Sequence, residues 1–264
     1  MVIFITGISS GFGKAIAERL QADGHKVYGT FRKTEDFLPG VHYIKADSTD
    51  MEDVQRAVDE VITAEGHMDV FVNNAGMGIG GPLEFAPMED CNRIMDVNFM
   101  GLVRYARAIV PVMRRQGYGH IVCMSSIGGV VGLPYQGMYS ASKFAVEAYC
   151  EALRLELKAS GVNVTVVEPG DFATGFTATR KKADDSEVFA AYPSYARSME
   201  SIEHDENTGL TPDVLARKIS RLVIRKRPPY RMVVATPLQK LAVAAKVLLP
   251  ARTFAWIMKL YYKL

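Results

Sequence analysis

Cysteine is scarce in this chain: only Cys91, Cys123 and Cys150 occur, odd in number and widely spaced. No CxxC or other metal-like spacing is present. A disulfide scaffold is therefore excluded, no metal site is expected, and a reducing compartment is the natural setting. Each cysteine reads as a small buried apolar residue. Long apolar runs are missing too. No stretch of about 18 uninterrupted apolar residues exists, which argues against a spanning helix. Strand-like Val2-Ile3-Phe4-Ile5 begins at once, with no basic leader or cleavage site, so no secretory signal is expected. Repeats and low-complexity segments are absent. With 48% apolar and 23% charged residues over 264 positions, the composition suits one large soluble α/β domain.

Acidic residues are missing from one region. None follows Asp213, whereas residues 214–264 carry twelve Lys or Arg. Residues 1–213 then hold 19 basic against 29 acidic residues, a net of −10, so the overall charge of +2 describes neither part. Nucleic acid is a poor explanation of the basic tail, because no recognition motif accompanies it.

What is present is an alternation. Short apolar or β-branched runs at 2–5, 26–30, 41–45, 69–73, 120–124, 163–168 and 231–235 read as strands. Helical patterns separate them at 13–22, 51–64, 88–116, 138–160 and 212–224, with Pro111 positioned to kink the long third one or to divide it. The strands are almost wholly apolar, as strands covered on both faces must be. Alternation of this kind predicts a Rossmann-type, doubly wound parallel sheet of about seven strands, with helices on both faces. In such a sheet the ligand crevice lies at the carboxyl ends of the strands, where strand order reverses. Residues 172–211 break the alternation. They are polar, contain Pro193 and Gly209, and read as a long irregular lid over a substrate. The expected organisation is one catalytic domain over 1–235, lid included, with a basic helical extension over 236–264.

Directly behind the first strand stands Thr6-Gly7-Ile8-Ser9-Ser10-Gly11-Phe12-Gly13. Glycines at a first strand–helix junction permit a tight turn and close approach to a pyrophosphate. The helix start adds free N–H groups and positive dipole. The spacing is not GxGxxG. At the end of the second strand, a carboxylate would bind the ribose 2′-hydroxyl of NAD. Arg32 and Lys33 stand there instead, so a 2′-phosphate is the expected partner and NADP(H) is favoured over NAD(H). Asp47, at the third strand end, either accepts from an adenine amino group or caps the next helix.

Tyr139 and Lys143 are four residues apart on a predicted helix and share a face. A phenol titrates near about 10. A neighbouring ammonium and an oxidised nicotinamide would both lower that value, leaving Tyr139 able to exchange a proton with a carbonyl oxygen as hydride moves. Ser126 follows the fifth strand, where its hydroxyl could meet the same oxygen. Asn98 sits inside a predicted helix despite mediocre propensity, which a functional role or a satisfied core position would explain.

Taken together these residues resemble the short-chain dehydrogenase/reductase family. The likeness runs from residue 6 to about 174, roughly two-thirds of the chain, and its pieces stand in the family's order. They are TGxxxGxG at 6–13, NNAG at 73–76, Asn98, Ser126, YxASK at 139–143, and Pro169-Gly170 followed by Thr174. The resemblance implies that Tyr139 is the catalytic acid/base and that Lys143 holds the nicotinamide ribose and assists it. It implies that Ser126 steadies the substrate carbonyl and that Asn98 positions a water linking Lys143 to solvent. On the cofactor side it implies contacts from Gly7, Gly11, Phe12 and Gly13, from Asn74, Ala75 and Gly76 beside the adenosine, and from Pro169, Gly170 and Thr174 at the nicotinamide. Ser9 and Ser10 would support a 2′-phosphate beside Arg32. The segments 74–84 and 132–134 are most similar to the hydroxysteroid and retinol dehydrogenase branch, which implies a lipophilic alcohol or ketone. Members commonly pair through two long helices, here 88–116 and 138–160, implying a homodimer or homotetramer.

Past Arg231 the resemblance carries little. Helical patterns over 236–249 and 251–264 flank Pro250. On the last one Arg252, Lys259 and Lys263 form one stripe, with Phe254, Trp256, Ile257, Leu260 and Tyr261 filling much of the rest. That pattern suits either peripheral contact with an anionic membrane, or packing over the pocket or a subunit interface with the lysines snorkelling to water. The expected protein is thus a cytoplasmic NADP(H)-dependent oxidoreductase interconverting a carbonyl and an alcohol on a steroid-, retinoid- or fatty-ketone-like substrate. The alternative is a non-catalytic dinucleotide sensor or scaffold on the same fold.

Overall fold

A computed structural model of the protein describes residues 1–34 and 36–264. Seven strands form one wholly parallel sheet: β1 (Val2–Ile5), β2 (Lys26–Phe31), β3 (Val41–Lys45), β4 (Val70–Asn73), β6 (Gly119–Met124), β7 (Val162–Pro169) and β9 (Arg231–Val234). Their order is β3-β2-β1-β4-β6-β7-β9, so the winding reverses between β1 and β4. The short β5 (Ile79–Gly80) and β8 (Lys181–Lys182) make a separate parallel pair.

Period-two side-chain alternation splits each central strand between two cores. Val2 and Phe4 join Phe71, helix α2 (Met51–Glu65), α4 (Gly101–Gln116) and α5 (Gly137–Glu156) on one face. Ile3 and Ile5 join Val70, Val72, α1 (Gly11–Ala22) and α9 (Pro212–Val223) on the other. Ile3, Phe4 and Ile5 are completely buried. Each such side chain contributes about 1.5–3 kcal/mol of apolar burial, so the first strand is held hard where the glycine loop leaves it. A short helix, α3 (Met88–Met95), precedes α4.

Two expectations are corrected. The pattern over 88–116 is not divided at Pro111, which lies inside α4 without ending it. The interruption is a π-helical turn at Asp96–Met100, between α3 and α4. Residues 172–211 are not irregular: they fold into α6 (Phe176–Thr179), β8, α7 (Ser186–Ala191) and α8 (Tyr195–Asn207). Tyr195, Ser198, Met199 and Ile202 bury one stripe of α8 at helical spacing, under a polar outer face. The tail forms α10 (Pro237–Leu248) and α11 (Ala251–Tyr261). A reciprocal capping box between Thr236 and Gln239 starts α10.

Candidate active site

At the carboxyl ends of the strands, around the β1–β4 reversal, lies a cavity of about 1160 Å³. Its floor is made of strand ends and its outer walls of residues 172–206 and the tail helices. Nearly every residue singled out from the sequence borders it; Gly13 and Asn98 sit just behind.

The glycine loop is built by Thr6 and Asn74. The Thr6 hydroxyl accepts from the backbone N–H groups of Asn74 and Ala75, both at 2.9 Å. The Asn74 amide donates back to the carbonyls of Thr6 and Gly7. Gly7 takes φ +71°, in the left-handed region that favours glycine. A Cβ at Gly13 would stand 2.0 Å from the Gly7 carbonyl oxygen, so this position makes room for the loop and does not itself touch the cavity. Ser9, Ser10, Gly11 and Phe12 line the cavity where α1 begins. No side chain caps that helix, since Ser10 makes no capping bond. Its first-turn N–H groups are therefore available to an anion, and the cradle fits a dinucleotide's phosphates.

Toward one end the wall passes Ala75 and Gly76 to Arg32, Lys33 and Asp47. Arg32 and Lys33 are exposed. Asp47 Oδ1 accepts from the backbone N–H and hydroxyl of Thr49, so that carboxylate also stiffens its own turn.

Toward the other end stand Ser126, Tyr139 and Lys143, with Pro169, Gly170 and Thr174 across from them. The Ser126 hydroxyl accepts from Gly128 N–H at 3.0 Å, which orients it. The Tyr139 ring packs against Phe176, centroids 5.7 Å apart. Lys143 Nζ lies 5.8 Å from the Tyr139 ring centroid and donates to the Met124 carbonyl at 2.8 Å. Burial pulls the Lys143 ammonium down to about 8, opposed by Cys123 and Glu147. The expected lowering of the Tyr139 phenol is not what the protein alone produces. Burial pushes the phenol above its ordinary value, and the nearby Ser126 hydroxyl only partly offsets this. Desolvation disfavours phenolate and ammonium alike, and it is the largest cause of each shift.

Asn98 occupies the π-helical turn and is 1% exposed. Its amide donates to the Met77 carbonyl and the Ser142 hydroxyl, both at 3.0 Å, and its Oδ1 accepts from Met77 N–H at 2.8 Å. It thereby clamps the segment following Gly76 to α5 beside Lys143.

Several lining residues escaped the sequence reading. Asp171, Asp205 and Glu206 put carboxylates on the wall beyond Tyr139. Burial, then Glu206 and Asp205, push the Asp171 carboxyl up to about 6. Glu206 accepts from Arg180 and, at 2.6 Å, from the Thr177 hydroxyl. Asp171 adjoins the Pro169-Gly170 motif, a signal that was available. The Arg180–Glu206 pair joins the residue that ends α6 to α8, and no local pattern announces it. From the tail, Leu238, Leu241, Ala245, Ile257 and Met258 give the cavity an apolar side.

Known proteins share this fold. The family described as short chain dehydrogenase matches residues 1–185. A 3-ketodihydrosphingosine reductase of Bacteroides thetaiotaomicron is 44% identical, covering 99% of this chain and 97% of that protein. An NADPH-dependent 3-dehydrocapnine reductase of Ornithobacterium rhinotracheale is 33% identical over 98% of this chain and 95% of its own length. The crystal structure of a short-chain dehydrogenase from Streptomyces avermitilis superposes with a TM-score of 0.82 at 30% identity, covering 93% of this chain and 92% of that one. The chain belongs to the short-chain dehydrogenase/reductase family, NAD(P)-dependent oxidoreductases of carbonyl and alcohol groups.

Proposed function

We propose that this enzyme uses NADP(H) to reduce the ketone of a long-chain lipid of the 3-ketodihydrosphingosine type. One observation carries the reading: Ser126, Tyr139 and Lys143 share a single cavity with a row of wall carboxylates and an apolar side supplied by the tail helices. An alkyl chain suits the apolar side. The amine that a sphingoid ketone carries beside its carbonyl suits Asp171, Asp205 and Glu206. The 44% identical reductase supports the same substrate class over a steroid or retinoid.

When bound, the nicotinamide supplies the hydride. The Ser126 and Tyr139 hydroxyls donate hydrogen bonds to the carbonyl oxygen and stabilise charge developing there. Tyr139 then gives its proton to that oxygen. A phenol held above its ordinary value is fully protonated at neutral pH, which suits reduction, where it must start as the acid. Lys143 faces the phenolate left behind. Asn98 acts as a positioning residue, because its side chain is engaged by Met77 and Ser142. For the cofactor, Gly7, Gly11, Phe12 and Gly13 would shape the pyrophosphate cradle, and Asn74, Ala75 and Gly76 the adenosine side, with Asp47 at the adenine. Arg32, Lys33, Ser9 and Ser10 would take a 2′-phosphate. Lys143 would hold the nicotinamide ribose, with Pro169, Gly170 and Thr174 near the ring.

We take residues 1–235, with the lid 172–211, as the catalytic unit and 236–264 as its extension. The three free, buried cysteines support cytoplasmic placement. Exposed Met100, Phe144 and Leu155 on or beside α4 and α5 support a homodimer or homotetramer through those helices.

Loss of NADPH absorbance with a panel of long-chain amino-ketone, steroid and retinoid substrates tests the reading. Tyr139→Phe is expected to lower turnover about 10²–10⁴-fold while NADPH still binds. Turnover of steroid alone would sink the substrate assignment, and substantial activity in Tyr139→Phe would sink the mechanism.

A further inference from the structure

The two tail helices present an outer surface that the fold leaves bare. None of the residues of α10 is buried, and Leu238, Leu241, Val247 and Leu248 are 64% to 82% exposed. On α11, Trp256 is 62% and Leu260 58% exposed. An isolated apolar side chain at a surface is ordinary, but a run of them along two adjoining helices marks a contact surface.

Charge narrows the partner. Lys240, Lys246, Arg252, Lys259 and Lys263 are all exposed on this segment, and no acidic residue follows Asp213 anywhere in the chain. On α11 Arg252, Trp256 and Lys259 follow i, i+4, i+7 spacing, so basic groups and the indole share one stripe. The partner must therefore be apolar and anionic together. Among the described residues no helix is long and apolar enough to cross a bilayer, which leaves helices lying in its surface.

The helices are also fastened to the site. Gln239 donates to Asp171, the Tyr261 hydroxyl donates to Asp205 at 2.9 Å, and the Ser198 hydroxyl donates to the Tyr262 carbonyl at 2.6 Å. Leu238, Leu241, Ala245 and Ile257 of the same helices border the cavity. We propose that α10 and α11 dock the enzyme on an anionic phospholipid surface, with the apolar side of the cavity opening at the docked face. A lipid substrate would then enter from the bilayer without crossing water.

Trp256 is the only tryptophan, so its fluorescence reports on this face alone. The full chain is mixed with vesicles of phosphatidylcholine, with and without phosphatidylglycerol. Anionic vesicles are expected to shift Trp256 emission to the blue, shield it from acrylamide and carry the protein into the pellet. Lys240→Glu, Lys246→Glu and Lys259→Glu combined are expected to lower partitioning by more than about tenfold, each basic residue contributing near an anionic surface. Leu260→Glu is expected to weaken partitioning while turnover of a short soluble ketone is unchanged, which shows the fold intact. Protein left in the supernatant with unshifted emission would overturn the proposal. So would equal binding to both vesicle types, or a blue shift that grows with protein concentration without lipid, which would assign the face to a second copy. None of these readouts needs the natural substrate, so they stand apart from the reaction assignment.

Discussion

Replacing Asn98 by Ala removes the clamp between the Gly76–Met77 segment and α5, and its cost follows from the hydrogen bonds it makes. The Met77 N–H and carbonyl each lose their Asn98 partner. Ser142 loses one incoming donor but keeps its bond to the Tyr139 carbonyl at 2.7 Å, so it is not orphaned. An orphaned buried group costs about 1–3 kcal/mol. Met77 is only half-buried, so water reaches part of the gap and the low end applies. The sum is about 2–3 kcal/mol, or a fall in Tm of about 5–10 °C for a chain of this size. Asn98 Oδ1 stands 3.3 Å and Lys143 Nζ 3.7 Å from where a Gly76 Cβ would lie, so the loosened segment borders the lysine directly. Turnover should fall at least about tenfold with the geometry. Asn98→Asp sharpens the test. A carboxylate there keeps the acceptor but cannot donate to Met77 or Ser142, and burial raises its pKa above the unfolded value of about 4. The folded state then holds a proton that the unfolded state has released, so the variant loses stability as pH rises from about 4 and shows its full deficit above the folded value. Thermal melts at pH 5 and 8, paired with NADPH turnover, read both effects. A fall in Tm under about 2 °C with turnover kept in Asn98→Ala would refute the clamp.

Two further outcomes test the cofactor end and the buried carboxylates behind the lysine. Arg32→Asp should weaken NADPH binding by about 10–100-fold, the range of a charge-assisted phosphate contact, and should improve NADH; an unchanged preference in steady-state kinetics would remove Arg32 from the site. Glu147 is pushed up to about 7, mainly by burial, from an ordinary 4.5. An acid raised in the folded state carries a penalty that is absent below about 4.5 and complete above about 7. Glu147→Gln should therefore stabilise the protein increasingly from pH 5 to 8. The gain should reach about 1–2 kcal/mol once solvent access is discounted, and a pH-independent gain in urea unfolding would contradict it.

The parts legible in the sequence are those with a short-range physical signature. Val2–Ile5 announced a doubly covered strand because all four side chains are apolar, and the sheet buries all four. The glycine loop, the strand-end Ser126 and the Tyr139/Lys143 pair are each local patterns, and the fold brings them to one cavity. Parts that depend on distant partners were not legible. The π-helical turn at Asn98 inserts one residue into a helix and leaves no mark in the apolar period; the marked residue, Pro111, sits harmlessly inside α4. The lid helices were obscured because α8 buries only four side chains under a charged face, one of them Ser198. The desolvation of the Tyr139 phenol was hidden for a related reason. Sequence spacing counts the neighbouring charge, whereas burial depends on Phe176 and the lid folding over the ring.

A protein that only sensed dinucleotides would need the loop around Gly7, Gly13 and Asn74 and nothing at the far end. The far end is instead maintained against stability. Lys143 is 6% exposed, donates one hydrogen bond, and has no carboxylate within ion-pair distance among the described residues. Holding its ammonium down to about 8 from 10.5 penalises the folded state by about 3 kcal/mol at neutral pH, because the charged form is desolvated. An apolar side chain of the same length would relieve that penalty and leave the glycine loop untouched. Buried, under-compensated ionisable groups collect where chemistry needs them. The penalty is accepted beside a half-buried phenol and an oriented serine hydroxyl, in a cavity whose remaining walls come from residues 172–206 and the tail. Strand ends thus hold the half of the site that every such enzyme needs. In the reading proposed above, the carboxylates of Asp171, Asp205 and Glu206 and the apolar tail would supply the half that selects a substrate.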